Sequence, residues 1–74
     1  MHKKILEKMD MDYLKYKMRK KDMIIEEFSH KIGMSKSSIY SRIKGESQWK
    51  YEEMKNIKQV LDLTQEEFNK IFGF

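Results

Sequence analysis

Three glycines divide this sequence into stretches that have the periodicity of α-helices. Gly33, Gly45 and Gly73 each follow a segment whose apolar residues recur three or four positions apart. Glycine is common in the left-handed position just past a helix end. The chain has no proline that would interrupt a helix, and no segment alternates apolar and polar residues as a half-buried strand does. The sequence therefore predicts an all-α fold.

The same periodicity predicts five helices. The clearest local signals are the capping residues at the starts of the third and fifth helices. Ser35 is placed to cap the third helix, which Gly45 ends. Thr64 and Glu67 have the spacing of a capping box at the start of the fifth helix. The first helix is expected to end in the basic run at 19–21. The others are expected over 24–31, over 35–44, over 51–61 and after Thr64.

The chain is short, and its composition excludes several classes of protein. With 74 residues, 39% of them hydrophobic, it is expected to form one small domain with little room for a buried pocket. We therefore expect no enzyme, cofactor or small-molecule substrate. There is no cysteine, and the two histidines have no partner at ligand spacing, so no metal site is predicted. Charges begin too early for a signal peptide, and no run is long enough to span a bilayer, which favours the cytoplasm.

The first eleven residues are the least defined part of the pattern. Ile5, Leu6 and Met9 lie near helical spacing and could extend the first helix, whereas the segment 9–12 could equally be a break. We therefore treat 1–11 as an N-terminal extension and 12–74 as the folded domain.

Positive charge is concentrated in the middle of the chain. The net charge is +4, and no acidic residue occurs between Phe28 and Gly45, where four lysines and arginines lie. A local basic surface beside an acidic C-terminal part favours a polyanionic partner such as nucleic acid.

Residues 24–45 have the length of a helix-turn-helix, and their glycines lie where its helices would end. A helix ends at Gly33, and the turn 33–35 leads into the next helix. Ser29 is small, as the crossing of two helices requires, and its hydroxyl is expected to bond to the carbonyl of Ile25.

The remaining face of the third helix is predicted to be polar and free of acid. Ile39 and Ile43 are expected to point into the core, and the exposed start of such a helix fits the major groove of DNA. The residues predicted to contact bases are Lys36, Ser37, Tyr40 and Ser41.

The segment from Phe28 to Ile39, with Gly45 after it, resembles the lambda-repressor-like superfamily of phage Cro and repressor regulators. The later part, from Trp49 to Phe72, strengthens this resemblance. It implies a compact five-helix DNA-binding domain acting as a sequence-specific transcriptional regulator, a phage-type repressor, often as a homodimer on a palindromic double-stranded operator. Phosphate contacts are expected from Ser35, Lys31, Arg42, Lys44, Ser47 and Lys50.

The sequence departs from this family at the start of the helix-turn-helix. Ile24 and Ile25 stand where the family often has Thr-Gln, which removes one expected phosphate contact. Phe72 and Phe74 form an apolar C-terminal cluster and are candidate dimer contacts, or the last layer of the core.

Two other functions stay open from the sequence. The first is a protein-interaction module, such as an antirepressor or antitoxin, that uses the same fold and an acidic C-terminal surface with Phe74 exposed. The second is an accessory factor that binds DNA ends or recombination sites with little sequence preference.

Overall fold

A computed structural model describes residues 9–74 of the chain, and within that part every regular element is an α-helix. The all-α prediction is therefore confirmed for these residues. Residues 1–8 lie outside the described part, so the two alternatives for them stay open. The five helices are α1 (Met11–Lys20), α2 (Ile25–Ile32), α3 (Lys36–Ile43), α4 (Tyr51–Val60) and α5 (Gln65–Phe72).

The first helix begins at Met11 because Asp10 caps it. The backbone N–H of Tyr13 donates to Oδ1 of Asp10 at 3.0 Å, and carboxylates are favoured at a helix N-terminus. Of the two alternatives for the segment 9–12, the break is therefore the one found, because the helix begins at Met11 and does not continue through Met9 and Asp10.

All five helices end on a residue in the left-handed conformation, but only three of these residues are the glycines. After α1 and α4 the position is held by Asp22 (φ 53°) and Asp62 (φ 54°), a residue type that tolerates this region better than most. Met23 N–H donates to the carbonyl of Met18 at 3.0 Å, and an equivalent bond closes α4. The chain can therefore reverse direction after every helix without proline.

The core is a single cluster to which every helix contributes. Helix α2 packs against α3 and α4, and α1 packs against α5. Leu14, Phe28 and Ile57 are fully buried. The buried side chains are Leu14, Met18, Phe28, Ile32, Ile39, Trp49, Met54, Ile57, Leu61, Leu63, Phe68, Ile71 and Phe72.

An ion pair at the start of α5 also connects this helix to α1. The predicted capping box is confirmed, with Glu67 N–H donating to Thr64 Oγ1 at 3.1 Å and Thr64 N–H donating to Glu67 Oε1 at 2.9 Å. Glu67 Oε2 in turn accepts from Lys17 Nζ at 2.9 Å. The Lys17 ammonium, followed by the Thr64 N–H, lowers the pKa of Glu67 to about 2.

The C-terminal aromatic residues separate into one core and one surface position. Phe72 is only 3% exposed and meets Trp49 edge to face at 5.8 Å between ring centroids, so its burial removes it from the candidate dimer contacts. Phe74 is 67% exposed and folds back over Phe68 with 5.6 Å between ring centroids. Phe74 therefore stays a candidate dimer contact.

Candidate nucleic-acid interface

Helices α2 and α3 are joined by a three-residue turn that a serine of α2 holds in place. Ser29 Oγ donates to the carbonyl of Met34 at 2.6 Å. The predicted bond from Ser29 to the carbonyl of Ile25 is therefore wrong. The Met34 carbonyl lies in the turn, outside the helical hydrogen-bond ladder, and so is the acceptor that needs a donor. This bond fixes the start of α3 relative to α2.

The start of α3 is capped as predicted. Ser38 N–H donates to Ser35 Oγ at 3.2 Å, and Ser35 Oγ itself donates to Ser38 Oγ at 3.0 Å. Ile39 is fully buried and Ile43 packs against the core as a partly buried residue. Two aliphatic side chains thus anchor α3 from behind and leave its opposite side to solvent.

Three of the four predicted base-contacting residues lie exposed on α3. Lys36, Ser37 and Tyr40 are open to solvent, and 47% of Tyr40 is accessible despite its large apolar ring. Ser41 is half-buried, and its Oγ lies 2.8 Å from that of Ser47, a predicted phosphate contact. Both of these hydroxyls therefore already have a partner in the protein.

Lys36 is not a free cation in this structure. Its Nζ donates to Oε2 of Glu26 at 3.0 Å, and the lysine side chain is 48% exposed. Both side chains are long and solvated, so such a pair contributes only about 0.2–1 kcal/mol and can be broken at little cost.

Arg42 is held much more firmly, and it does not present a free guanidinium to a phosphate. Its Nε and Nη2 donate to the two carboxylate oxygens of Glu53 at 2.8 and 3.1 Å. The two side chains are only 14% and 15% exposed. Nη1 also reaches the carbonyl of Ser38 at 3.3 Å. A bidentate, largely covered pair of this kind ties α3 to α4. The structure thus gives Arg42 a structural role, and its phosphate contact stays a prediction.

These two ion pairs correct the expectation of an acid-free surface around α3. The sequence between Phe28 and Gly45 has no acid, but Glu26 of α2 and Glu53 of α4 are brought beside α3 by the packing of the helices. Acids that are distant from α3 in the sequence are therefore close to it in the structure. The cationic surface of α3 is smaller than the charge count along the sequence predicts.

The remaining predicted phosphate contacts lie at the surface. Lys31 and Lys44 are exposed at the ends of α2 and α3, and Ser35 is exposed at the turn. Lys50 is exposed too, and its backbone N–H donates to Glu53 Oε1 at 2.8 Å. Their role as phosphate contacts stays a prediction.

The structure adds two cations to this surface that the sequence pattern did not single out. Lys15 and Arg19 of α1 line a groove together with Tyr40 of α3 and Lys44, which caps the end of α3. The sequence does contain a signal for these two cations. Lys15 and Arg19 are four residues apart, which places both on the face of α1 that also carries Met18.

The described part of the chain offers no metal site and no membrane helix. Within residues 9–74, no three His, Asp or Glu side chains are gathered as metal ligands, and none of the helices there has the length and apolarity needed to cross a bilayer. The chain matches no protein-family model, no curated protein and no solved structure.

Proposed function

We propose that this chain is a sequence-specific double-stranded DNA-binding transcriptional regulator that inserts α3 into the major groove of an operator. The observation that carries this proposal is the exposed polar surface of α3, which is anchored from behind by Ile39 and held at its start by the Ser35 cap. A short helix presented in this way fits the width of the major groove.

The side chains on this surface have the chemistry that base readout needs. Lys36 Nζ can donate to the N7 and O6 acceptors of guanine once it leaves Glu26. Ser37 can donate or accept, and Tyr40 offers an apolar ring edge for a thymine methyl group. Lys36 and Tyr40 therefore carry most of the proposed sequence preference.

Cations around α3 would hold the phosphate backbone. Lys44 at the end of α3 and Arg19 of α1 line the same groove, while Lys31 lies exposed at the end of α2. Phosphate contacts of this kind position a protein on DNA without reading its sequence. Arg42 is left out of this set because Glu53 occupies its guanidinium.

The proposal is also supported by the arrangement of the helices within residues 9–74, where α2 and α3 would form the helix-turn-helix of the lambda-repressor-like fold that the sequence resembles. A regulator of this kind acts in the cytoplasm, and its dimers bind two half-sites separated by about one turn of DNA, roughly 34 Å. The exposed ring of Phe74 is the candidate contact for such a homodimer.

Binding selection from a random duplex pool at near-physiological salt tests this function. The proposal predicts one enriched motif, and an affinity for it that exceeds the affinity for unrelated DNA by a factor of at least about 10³. Inverted repeats in the motif would show the expected dimer. Retention of duplexes without any enriched motif would indicate the less specific accessory role, and no retention of duplex would contradict the proposal.

A further inference from the structure

The groove between α1 and α3 combines an apolar floor with a cationic rim. It encloses about 360 Å³. One wall presents Lys15, Met18 and Arg19 of α1, which are three and four residues apart and so share a helix face. The opposite wall presents side chains of α3 with the same spacing. The full lining is Lys15, Met18, Arg19, Met23, Ile25, Tyr40, Ile43 and Lys44.

The floor is apolar enough to bind a side chain of a partner. Met23, Ile25 and Ile43 are only partly buried and pack on the edge of the core. Methionine adapts its shape to what it contacts, because its side chain is unbranched and flexible. An apolar stripe left open between two helices is the kind of surface into which an amphipathic helix docks.

The charges on the rim all have the same sign. Lys15 and Arg19 lie on one wall and Lys44 lies on the other, and no carboxylate belongs to the described residues that line the groove. Asp12 lies 4.0 Å from Lys15, and its own side chain is 97% exposed. Such a rim favours a partner with carboxylates on both sides of its apolar stripe.

We infer that this groove is a docking site for an acidic amphipathic helix of another protein. Its occupant would place an apolar stripe on Met23, Ile25 and Ile43, and its carboxylates would meet Lys15, Arg19 and Lys44. Tyr40 and Lys44 also belong to the proposed DNA surface. On the basis of the proposed function, the acidic helix and DNA therefore exclude each other, and the partner would release the operator.

A pair of synthetic peptides tests this inference on the whole chain. Both form an amphipathic helix with leucines at positions i, i+3, i+4 and i+7; one has Glu and the other has Lys on the flanks of the stripe. We expect the Glu peptide to bind at least about tenfold more tightly, because only it complements the rim. Amide shifts should concentrate at Met18, Ile25, Tyr40 and Ile43.

Matched charge reversals locate the binding. Arg19→Glu should weaken binding of the Glu peptide about fivefold or more, whereas Lys55→Glu, an exposed reversal on α4, should leave it unchanged. Circular dichroism of both variants confirms that they fold. Equal binding of the two peptides, shifts outside the groove, or groove shifts that depend on protein concentration without peptide would overturn the inference. The last result would assign the groove to a second copy of the chain.

A competition experiment with DNA distinguishes a failure of this inference from a failure of the proposed function. A selected duplex should be displaced by the Glu peptide and not by the Lys peptide. If the chain binds the Glu peptide in the groove but retains no duplex, the proposed function fails and the docking site stands. If duplex binding is strong and the Glu peptide neither binds nor competes, the docking site fails.

Discussion

The ammonium nitrogen of Lys36 lies 3.0 Å from a carboxylate oxygen of Glu26, so the lysine proposed to read a guanine is held by an acid of the preceding helix. The proposed DNA binding would require Lys36 to exchange this carboxylate for a base. The pair would then oppose the proposed binding twice, by occupying the lysine and by bringing a negative charge close to the phosphates.

Replacing Glu26 should strengthen DNA binding. We expect Glu26→Gln to raise the affinity for a selected duplex about two- to fivefold at low salt, because it frees Lys36 and removes one repulsion. Fluorescence anisotropy measures this change. Glu27→Gln is the matched control, since Glu27 is an exposed neighbour on the same helix turn. An equal gain in both variants would show that net charge alone is responsible.

Lys36 and Lys44 should differ in how their loss affects binding. Lys36→Ala is expected to weaken binding of the selected duplex by about 1–3 kcal/mol and to relax the sequence preference. Lys44→Ala should weaken all duplexes alike and reduce the slope of log affinity against log salt by about 1. Titrations at several salt concentrations separate the two. A uniform loss for Lys36→Ala would remove it from the base contacts.

The Arg42–Glu53 pair should contribute to folding and not to DNA binding. Arg42→Met leaves the Glu53 carboxylate partly covered and without its bidentate donor, so we expect a loss of about 1–3 kcal/mol in the free energy of unfolding. Urea denaturation measures this loss. The double variant Arg42→Met/Glu53→Gln should recover part of it, because the unpaired charge is gone. Unchanged stability with weaker binding of every duplex would restore the phosphate contact.

Acid should remove the stabilisation that Glu67 provides. Its pKa falls from an ordinary 4.5 to about 2 in the folded chain, because Lys17 and the Thr64 N–H stabilise the carboxylate. A depressed pKa contributes stability that is fully present above 4.5 and is lost as the pH falls toward 2. The stability difference between the natural chain and Glu67→Gln should therefore shrink across that interval.

Urea unfolding at about pH 7 and about pH 2 measures this difference. The matched control is Glu66→Gln, because Glu66 is exposed and forms no ion pair within residues 9–74. A stability gap for Glu67→Gln that stays constant with pH would contradict the proposed role of Lys17.

Local signals predicted the helices of this chain well. The Thr64 capping box, the Ser35 cap and the inward position of Ile39 all depend on residues within one or two turns of each other, and each is confirmed. The turns after α1 and α4 were harder to foresee, because Asp22 and Asp62 take the left-handed position that glycine usually holds.

The environment of α3 could not be predicted in the same way. The partners of Lys36 and Arg42 are Glu26 and Glu53, which lie ten and eleven residues away on other helices. Helical periodicity predicts on which face of its helix a residue lies. It does not predict how one helix is rotated against another, and this rotation determines which side chains form ion pairs. The groove that Arg19 shares with α3 escaped prediction for the same physical reason.

The central claim is that the exposed face of α3 meets DNA, and a map of amide shifts with the selected duplex at near-physiological salt tests it most directly. The account predicts that the largest shifts occur at Ser37, Tyr40 and Lys44, with smaller ones at Arg19 and Lys31. Unmoved signals along α3, with the largest changes on α4, α5 or Phe74, would contradict it.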